Sequence, residues 1–449
     1  MADTIVGIAT AAGEGGIAIV RLSGEHAVSL FERAFVPRKR QPPFESHRLM
    51  VGHVVDGNEQ VDEAMGVVMY SPNSYTREDV CELHTHGGSI AAALVVKLFV
   101  RLGARPAEAG EFTRRAFMNG RIDLMQAEAV MGVISAQSAA ALRAEERQLL
   151  GGQSRFVRLA QEKLTELLAG LEAHIDYPDE ISEGEALEGL EKGLTELTQR
   201  LNSAIDERSA RILREGLRVA LCGRPNAGKS TLFNALLGEE RAIVTDVPGT
   251  TRDVLEGSFT LGGVRVLLQD TAGLRESGDQ VERIGVERAK KALEQADVAL
   301  LLVDASAEPT AEEQALLRLA LPCPCAVLLN KQDAGEKLSV AEVRQMSTHV
   351  AVFRISAQTL EGLDEVRQYL SGFVRMPQEN MLTHERHLSV AREALGRLNQ
   401  ALATLTSKQP LDLAAVDMHE ALYLLGSITG DSVDEKLLDD IFSRFCVGK

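Results

Sequence analysis

The chain has no excess of basic residues. Its 449 residues carry 48 Lys and Arg against 65 Asp and Glu, a formal net charge of −17. The deficit holds region by region: 12 basic against 14 acidic side chains in residues 1–120, 11 against 18 in 121–215, 18 against 22 in 216–375, and 7 against 11 in 376–449. No stretch has the basic stripe of a dedicated nucleic-acid binder, so any RNA contact must be local or shared with a partner. Long apolar runs are missing too. None suffices to span a membrane, and the N-terminus lacks the basic-then-apolar pattern of a secretory signal. Cysteine is sparse: Cys81, Cys222, Cys323, Cys325 and Cys446 are scattered and odd in number. That excludes a disulfide framework and fits a reduced, cytoplasmic protein.

What is present is globular in composition. Hydrophobic residues make up 45% of a chain long enough for two to four domains. Its organising stretch is Gly223-Arg224-Pro225-Asn226-Ala227-Gly228-Lys229-Ser230. The apolar run Val219-Ala220-Leu221-Cys222 precedes it, and Thr231-Leu232-Phe233-Asn234-Ala235-Leu236-Leu237 reads as a helix behind it. A buried strand, a glycine-bounded turn and a helix N-terminus form a P-loop. Backbone N–H groups and the helix dipole favour phosphate oxygens there. Lys229 can reach the β- and γ-phosphates, and the Ser230 hydroxyl can ligate Mg²⁺.

Later motifs select the base. Asn330-Lys331-Gln332-Asp333 follows a strand end, and the Asp333 carboxylate can accept from N1–H and the exocyclic amine of guanine. Adenine offers neither donor, and an unpaired buried polar group makes such discrimination large. Ser356-Ala357-Gln358 supplies a backbone N–H for guanine O6. Asp270-Thr271-Ala272-Gly273 ends another strand, to hold Mg²⁺ through water while Gly273 N–H senses the γ-phosphate. Gly249-Thr250-Thr251-Arg252-Asp253 supplies a switch threonine for Mg²⁺. Four motifs in this order specify GTP.

One departure bears on mechanism. Where Ras-like proteins carry a water-orienting glutamine, this chain has Leu274. Either hydrolysis is negligible or another group substitutes. Asn226 offers a side-chain carbonyl near the β/γ-phosphates, suited to a monovalent cation that would neutralise developing charge. Glu282 follows on the segment after Gly273 and could position water, although spacing alone reads it equally as an exposed acid.

Around this domain the pattern changes twice. Residues 1–120 mix strand-like runs, Ile17–Leu22 and Gly66–Tyr70, with a helix over Ala91–Leu102. Gly13-Glu14-Gly15-Gly16 lacks a following Lys-Ser/Thr and reads as a strand-entry turn. His84-Thr85-His86 has no second ligand pair nearby and reads as structural or substrate-facing. Helical periodicity runs from Arg121 to Gly216, with Leu164, Leu167, Leu168 and Leu171 on one stripe. Tyr177-Pro178-Asp179-Glu180 interrupts it, and the acid-rich 179–191 reads as a solvated loop and helix face. Helical pattern returns from Glu379. Between Leu217 and Val374, strands are expected at Arg218–Cys222, Val264–Gln269, Val298–Val303, Cys325–Leu329 and Val350–Ile355, in a doubly wound, mostly parallel sheet. The expected fold is an α/β P-loop GTPase domain (216–375) inserted in an all-helical domain (121–215 with 376–449), preceded by an α+β N-terminal domain (1–120).

At full length the chain resembles the MnmE (TrmE) tRNA-modification GTPases. Thr4-Ile5-Val6, Gly15 to Gly24 and Gly110-Glu111-Phe112-Thr113-Arg114-Arg115-Ala116-Phe117 look like that family's N-terminal domain. Val244-Thr245-Asp246-Val247-Pro248-Gly249-Thr250-Thr251-Arg252-Asp253 looks like its potassium loop and switch, and Phe445-Cys446-Val447-Gly448-Lys449 like its Cys-x-Gly-Lys ending. The resemblance implies a dimerising, reduced-folate-binding N-terminal domain, with Arg21, Glu78 and Arg121 on a tetrahydrofolate derivative and Lys449 nearby. Arg121 stands where a lysine is expected, keeping the charge and changing the geometry. It also implies K⁺ ligands Asn226, Thr245, Val247 and Thr250, Mg²⁺ ligands Ser230 and Thr251, and Glu282 as water positioner when two GTPase domains meet. The implied assembly is a homodimer forming a heterotetramer with the FAD- and NADH-dependent MnmG. Together they add an aminomethyl-type group at C5 of the tRNA wobble uridine. Cys446 is a candidate thiol nucleophile or a small buried residue. A ribosome-assembly GTPase would also explain Leu274 and Asn226, but would carry a basic module after the GTPase domain instead of an acidic helical one. A nucleotide-gated scaffold with negligible turnover is the third alternative.

Overall fold

The computed structural model of the chain describes residues 3–39, 42–177, 183–238, 256–270, 293–349, 351–374, 380–407 and 409–449, with the backbone alone at 183–186, 256 and 270. In chain order the N-terminal part holds β1 (Ile5–Ile8), β2 (Ile17–Ser23), α1 (Ala27–Ala34), β3 (Phe35–Pro37), β4 (Met50–Asp56), β5 (Glu59–Met69), β6 (Val80–His86), α2 (Ser89–Leu102), β7 (Arg105–Pro106) and α3 (Glu111–Met118). Helices α4 (Leu124–Ser135), α5 (Ala139–Leu149), α6 (Gly152–Asp176), α7 (Glu183–Ala204) and α8 (Glu207–Glu215) follow. The α/β part holds β8 (Leu217–Gly223), α9 (Lys229–Gly238), β9 (Glu256–Leu261), β10 (Val264–Asp270), β11 (Val298–Asp304), α10 (Ala311–Arg318), β12 (Cys325–Asn330), α11 (Val340–Met346), β13 (Ala351–Arg354) and α12 (Leu363–Ser371). Helices α13 (Glu385–Thr406), α14 (Leu411–Thr429) and α15 (Glu435–Ser443) complete the described elements. Among the described residues no helix is long and apolar enough to cross a membrane.

Two compact units result. One comprises Met1–Met131, Gln148–Thr198 and Glu393–Lys449, the other Gly132–Arg147 and Gln199–Arg392. In the first, seven strands form one sheet in the order β3-β4-β5-β6-β2-β1-β7. All neighbours are antiparallel except β1 and β7. Apolar positions of α1 and α2 close its core: Phe31, Val95 and Phe99 are buried with Val20 and Leu22 of β2 and Phe35 of β3. The predicted Leu164–Leu171 stripe is the buried face of α6. At 183–191 the acid-rich stretch already belongs to α7 rather than a loop.

In the second unit six strands run in the order β13-β12-β11-β8-β10-β9. Each of the five predicted strands is there, mutually parallel. The sixth, β9, pairs antiparallel with β10 at one edge. Leu221, Leu300 and Leu328 are fully buried, because neighbouring parallel strands are covered on both faces. The α/β domain is thus inserted between helical segments, behind a mixed α+β N-terminal domain.

Candidate nucleotide-binding site

The parallel strands place their C-terminal ends together. Register sets Asp270 beside Leu221 of β8, and Asp304 beside Asn330 across β11 and β12. The crevice beyond such strand ends is where doubly wound sheets bind ligands. Gly223 ends β8 at φ +137, where a Cβ would come within 2.5 Å of the Leu302 carbonyl oxygen. Asn226 sits exposed at φ +64, a left-handed conformation that asparagine tolerates better than most residues. Among the described residues its side chain makes no hydrogen bond.

Gly228 solves a spacing problem. A Cβ there would lie 2.2 Å from Asn330 Nδ2. Without it, Asn330 Nδ2 donates to the Ala227 carbonyl at 2.8 Å, while its Oδ1 accepts from Ala357 N–H at 2.9 Å. One buried amide thus ties the glycine-rich loop to the Ser356-Ala357 turn. Ser356 Oγ in turn donates to Asp333 Oδ1 at 2.5 Å, fixing the exposed carboxylate that follows the strand. Lys229 is buried and donates to the carbonyls of Gly223 and Arg224 at 2.7 and 2.6 Å. Ser230 and Thr231 are exposed in the first turn of α9, where the unsatisfied N–H groups and dipole suit an anion.

Two residues here were not legible as functional. Asp304 accepts a hydrogen bond from Lys331 Nζ at 2.6 Å, orienting a lysine that sits at φ +67. Arg224 donates to Thr310 Oγ1 at 2.9 Å and pairs with Glu312, anchoring the loop to the cap of α10. The sequence signal for Asp304 was an acid closing an apolar strand, and the register pairs it with Asn330. The predicted residues Thr245, Asp246, Val247, Pro248, Gly249, Thr250, Thr251, Thr271, Ala272, Gly273, Leu274 and Glu282 lie outside the described residues, as does the Asp270 side chain.

A second cluster lies in the N-terminal sheet. Arg21 and Arg121 both approach the Tyr75 ring, at 5.1 and 4.7 Å from its centroid, and Arg21 also faces Phe112 at 5.6 Å. Arg21 Nε donates to Glu82, its cross-strand partner, at 2.7 Å. Arg121 donates to the Tyr75 carbonyl and has no carboxylate partner among the described residues. Glu78 lies on the same 74–79 loop, held by Arg115 at 3.0 Å and Ser23 at 2.7 Å. The chain terminus joins them: Phe112 N–H donates to the Lys449 carbonyl at 3.1 Å, Gly110 N–H to that of Cys446, and Val447 bridges Ala109. Tyr75, Phe112 and Arg115 were not anticipated from sequence. Cys446 is exposed, whereas burial pushes the Cys81 thiol up and Cys325 up to about 12. His84 and His86 face different carboxylates, Glu82 and Asp62, and the hydrogen bond His86 donates to Asp62 raises it above its ordinary value.

Residues 4–121 match the family model for the GTP-binding protein TrmE N-terminus, and residues 124–446 that for the MnmE helical domain. A tRNA modification GTPase MnmE of Listeria welshimeri is 42% identical over 457 residues, covering all of this chain and 99% of the relative. The same-named protein of Alkaliphilus metalliredigens is 41% identical, again over all of this chain and 99% of its own. Among solved structures, the G domain of the T. maritima FeoB iron transporter aligns at 29% identity and a TM-score of 0.28, over 35% of this chain and 99% of that one. With both modules matched in order and relatives aligned end to end, the chain belongs to the MnmE (TrmE) family of tRNA modification GTPases.

Proposed function

We propose that GTP hydrolysis by this chain depends on potassium and serves, with an FAD- and NADH-dependent MnmG partner, to add an aminomethyl or carboxymethylaminomethyl group to C5 of the wobble uridine of certain tRNAs. The observation that carries the nucleotide half is Asn330, whose amide joins the phosphate loop at Ala227 to the base-reading turn at Ala357. Family membership supports the tRNA half.

In this reading Asn226 to Thr231 cradle the phosphates, with Lys229 on the β- and γ-oxygens. Asn330, Lys331, Asp333, Ser356 and Ala357 hold guanine, and Asp270 to Gly273 sense the γ-phosphate. Ser230 and Thr251 are the Mg²⁺ ligands, and the exposed Ser230 hydroxyl fits that role. Asn226, Thr245, Val247 and Thr250 are the K⁺ ligands. Bound there, K⁺ supplies the positive charge that an arginine finger supplies elsewhere. Asn226 fits, being exposed beside the phosphate cradle with a side-chain carbonyl that accepts no hydrogen bond among the described residues. Glu282 positions the attacking water in place of the glutamine that Leu274 replaces.

The N-terminal cluster is proposed to bind a tetrahydrofolate derivative through Arg21, Glu78, Arg121 and Lys449. Two guanidiniums around one tyrosine ring suit a flat, anionic ligand, and the edge of Arg121 has no carboxylate of its own among the described residues. Cys446 is carried into the same neighbourhood by the tail. The chain acts as a homodimer in the cytoplasm, with domain limits 1–120, 121–215 plus 376–449, and 216–375.

Steady-state turnover in KCl against NaCl tests the mechanism: stimulation by KCl that Asn226→Ala removes is expected, and equal near-zero rates in both salts overturn it. Nucleoside analysis of tRNA after deletion tests the modification. Unchanged wobble uridines defeat it while leaving the GTPase standing.

A further inference from the structure

Helices α6 and α7 line a cavity of about 420 Å³ that no part of the proposed reaction uses. Two glycines keep it open. Gly170 and Gly189 lie inside helices, where glycine is less stable than alanine because it has more freedom to lose on folding. Neither has a positive φ, and a Cβ at either would meet nothing within 4 Å. Gly193, one turn beyond Gly189, is the contrast: a Cβ there would come within 2.6 Å of Leu167, so it serves close helix packing.

The lining is mostly apolar, with one buried polar side chain set into it. Leu167, Leu171 and Leu190 form its walls, together with His174. His174 is 6% exposed, and its Nδ1 is buried without a hydrogen-bond partner among the described residues. A buried polar atom left unpaired is a cost that a ligand able to pair with it would relieve. Lys163 and Glu166, also at the cavity, neutralise each other at 3.0 Å, so the site offers no net charge to a ligand.

We propose that this cavity binds a planar, uncharged heteroaromatic molecule of one or two rings that donates one N–H to His174 Nδ1. The volume falls in the range of small-molecule sites, which are mostly apolar with a few placed polar groups. In the proposed complex Nδ1 is the unprotonated, accepting nitrogen of the ring.

Indole and indene, matched in size but differing in the N–H, are the probes, titrated into the full chain by calorimetry. Indole is expected to bind about tenfold more tightly than indene, the effect of one hydrogen bond to an otherwise unpaired group. His174→Phe should bring the two together. Gly170→Leu and Gly189→Leu should fill the cavity, lower indole affinity at least about tenfold, and hold or raise the thermal midpoint, since leucine is the better helix former. Loss of binding in a variant at least as stable as the parent cannot be ascribed to misfolding. Absence of indole binding, equal binding of the two probes, or leucine variants that bind indole like the parent would each overturn the proposal.

Discussion

Lys331 and Asp304 are joined at 2.6 Å across the C-terminal ends of two parallel strands, and that bond decides where the lysine of the guanine motif points. Lys331 stands at φ +67 and is partly exposed, so little else fixes its side chain. Asp304→Ala should therefore raise the dissociation constants of GTP and GDP alike by about tenfold, the scale of a charge-assisted hydrogen bond. Preference for guanine over adenine should be unchanged, because Asp333 is untouched. Fluorescent-nucleotide titration reads both. A loss confined to GTP would mean that Asp304 acts on the γ-phosphate side instead.

The same pair has a pH signature. Burial works against the Asp304 carboxylate, but hydrogen bonds from Lys331 and Ser306 outweigh it and hold the carboxyl below its ordinary value of 3.8. A depressed folded value adds stability above the unfolded pKa, and that stability is lost as pH falls through the folded one. Asp304→Asn should lower the urea midpoint at pH 7 and pH 5. The gap to the parent should narrow below about pH 4, where unfolded aspartate takes up its proton. A constant gap from pH 7 to pH 3 would remove Lys331 as the cause.

Asp333 gives the sharpest test of base choice. Ser356 Oγ donates to Asp333 Oδ1, and the same bond can form to the Oδ1 of an asparagine. Asp333→Asn would keep the fold of the loop while turning one acceptor into a donor. Guanine then faces it with donors against a donor, whereas the 2-oxo group of xanthine would be matched. GTP affinity should fall by about a hundredfold or more, and XTP should bind in its place. Competition between the two nucleotides measures this directly.

The parallel strands were legible because each is a continuous apolar run feeding a motif at its C-terminal end. β9 was not, since Glu256-Gly257-Ser258-Phe259-Thr260-Leu261 carries only two large apolar residues and lies at an edge. In the N-terminal sheet β4 was hidden for a related reason. It includes Gly52, whose bare Cα is required by the Val36 carbonyl oxygen that a Cβ would approach to 2.4 Å. The guanine-binding residues could be read in order because strand ends bring them together. Tyr75, Phe112 and Arg115 could not, because only the antiparallel pairing of β2 with β6 and the return of the chain terminus carry them to Arg21 and Glu78.

That return depends on Gly448. It sits at φ +97, and a Cβ there would stand 1.9 Å from the Ile8 carbonyl oxygen, so an alanine is both strained and blocked. On either side of it, Cys446 and Lys449 accept hydrogen bonds from Gly110 and Phe112. Gly448→Ala should cost about 1–3 kcal/mol locally and release the tail from α3. Amide exchange at Gly110 and Phe112 should then rise by about tenfold or more, while GTP turnover stays as in the parent because no nucleotide contact is altered. If the tail serves the proposed modification, wobble-uridine products should fall with the exchange protection. Full protection in Gly448→Ala would mean that the tail is held by Phe445 and the helices behind it, and that the glycine is incidental.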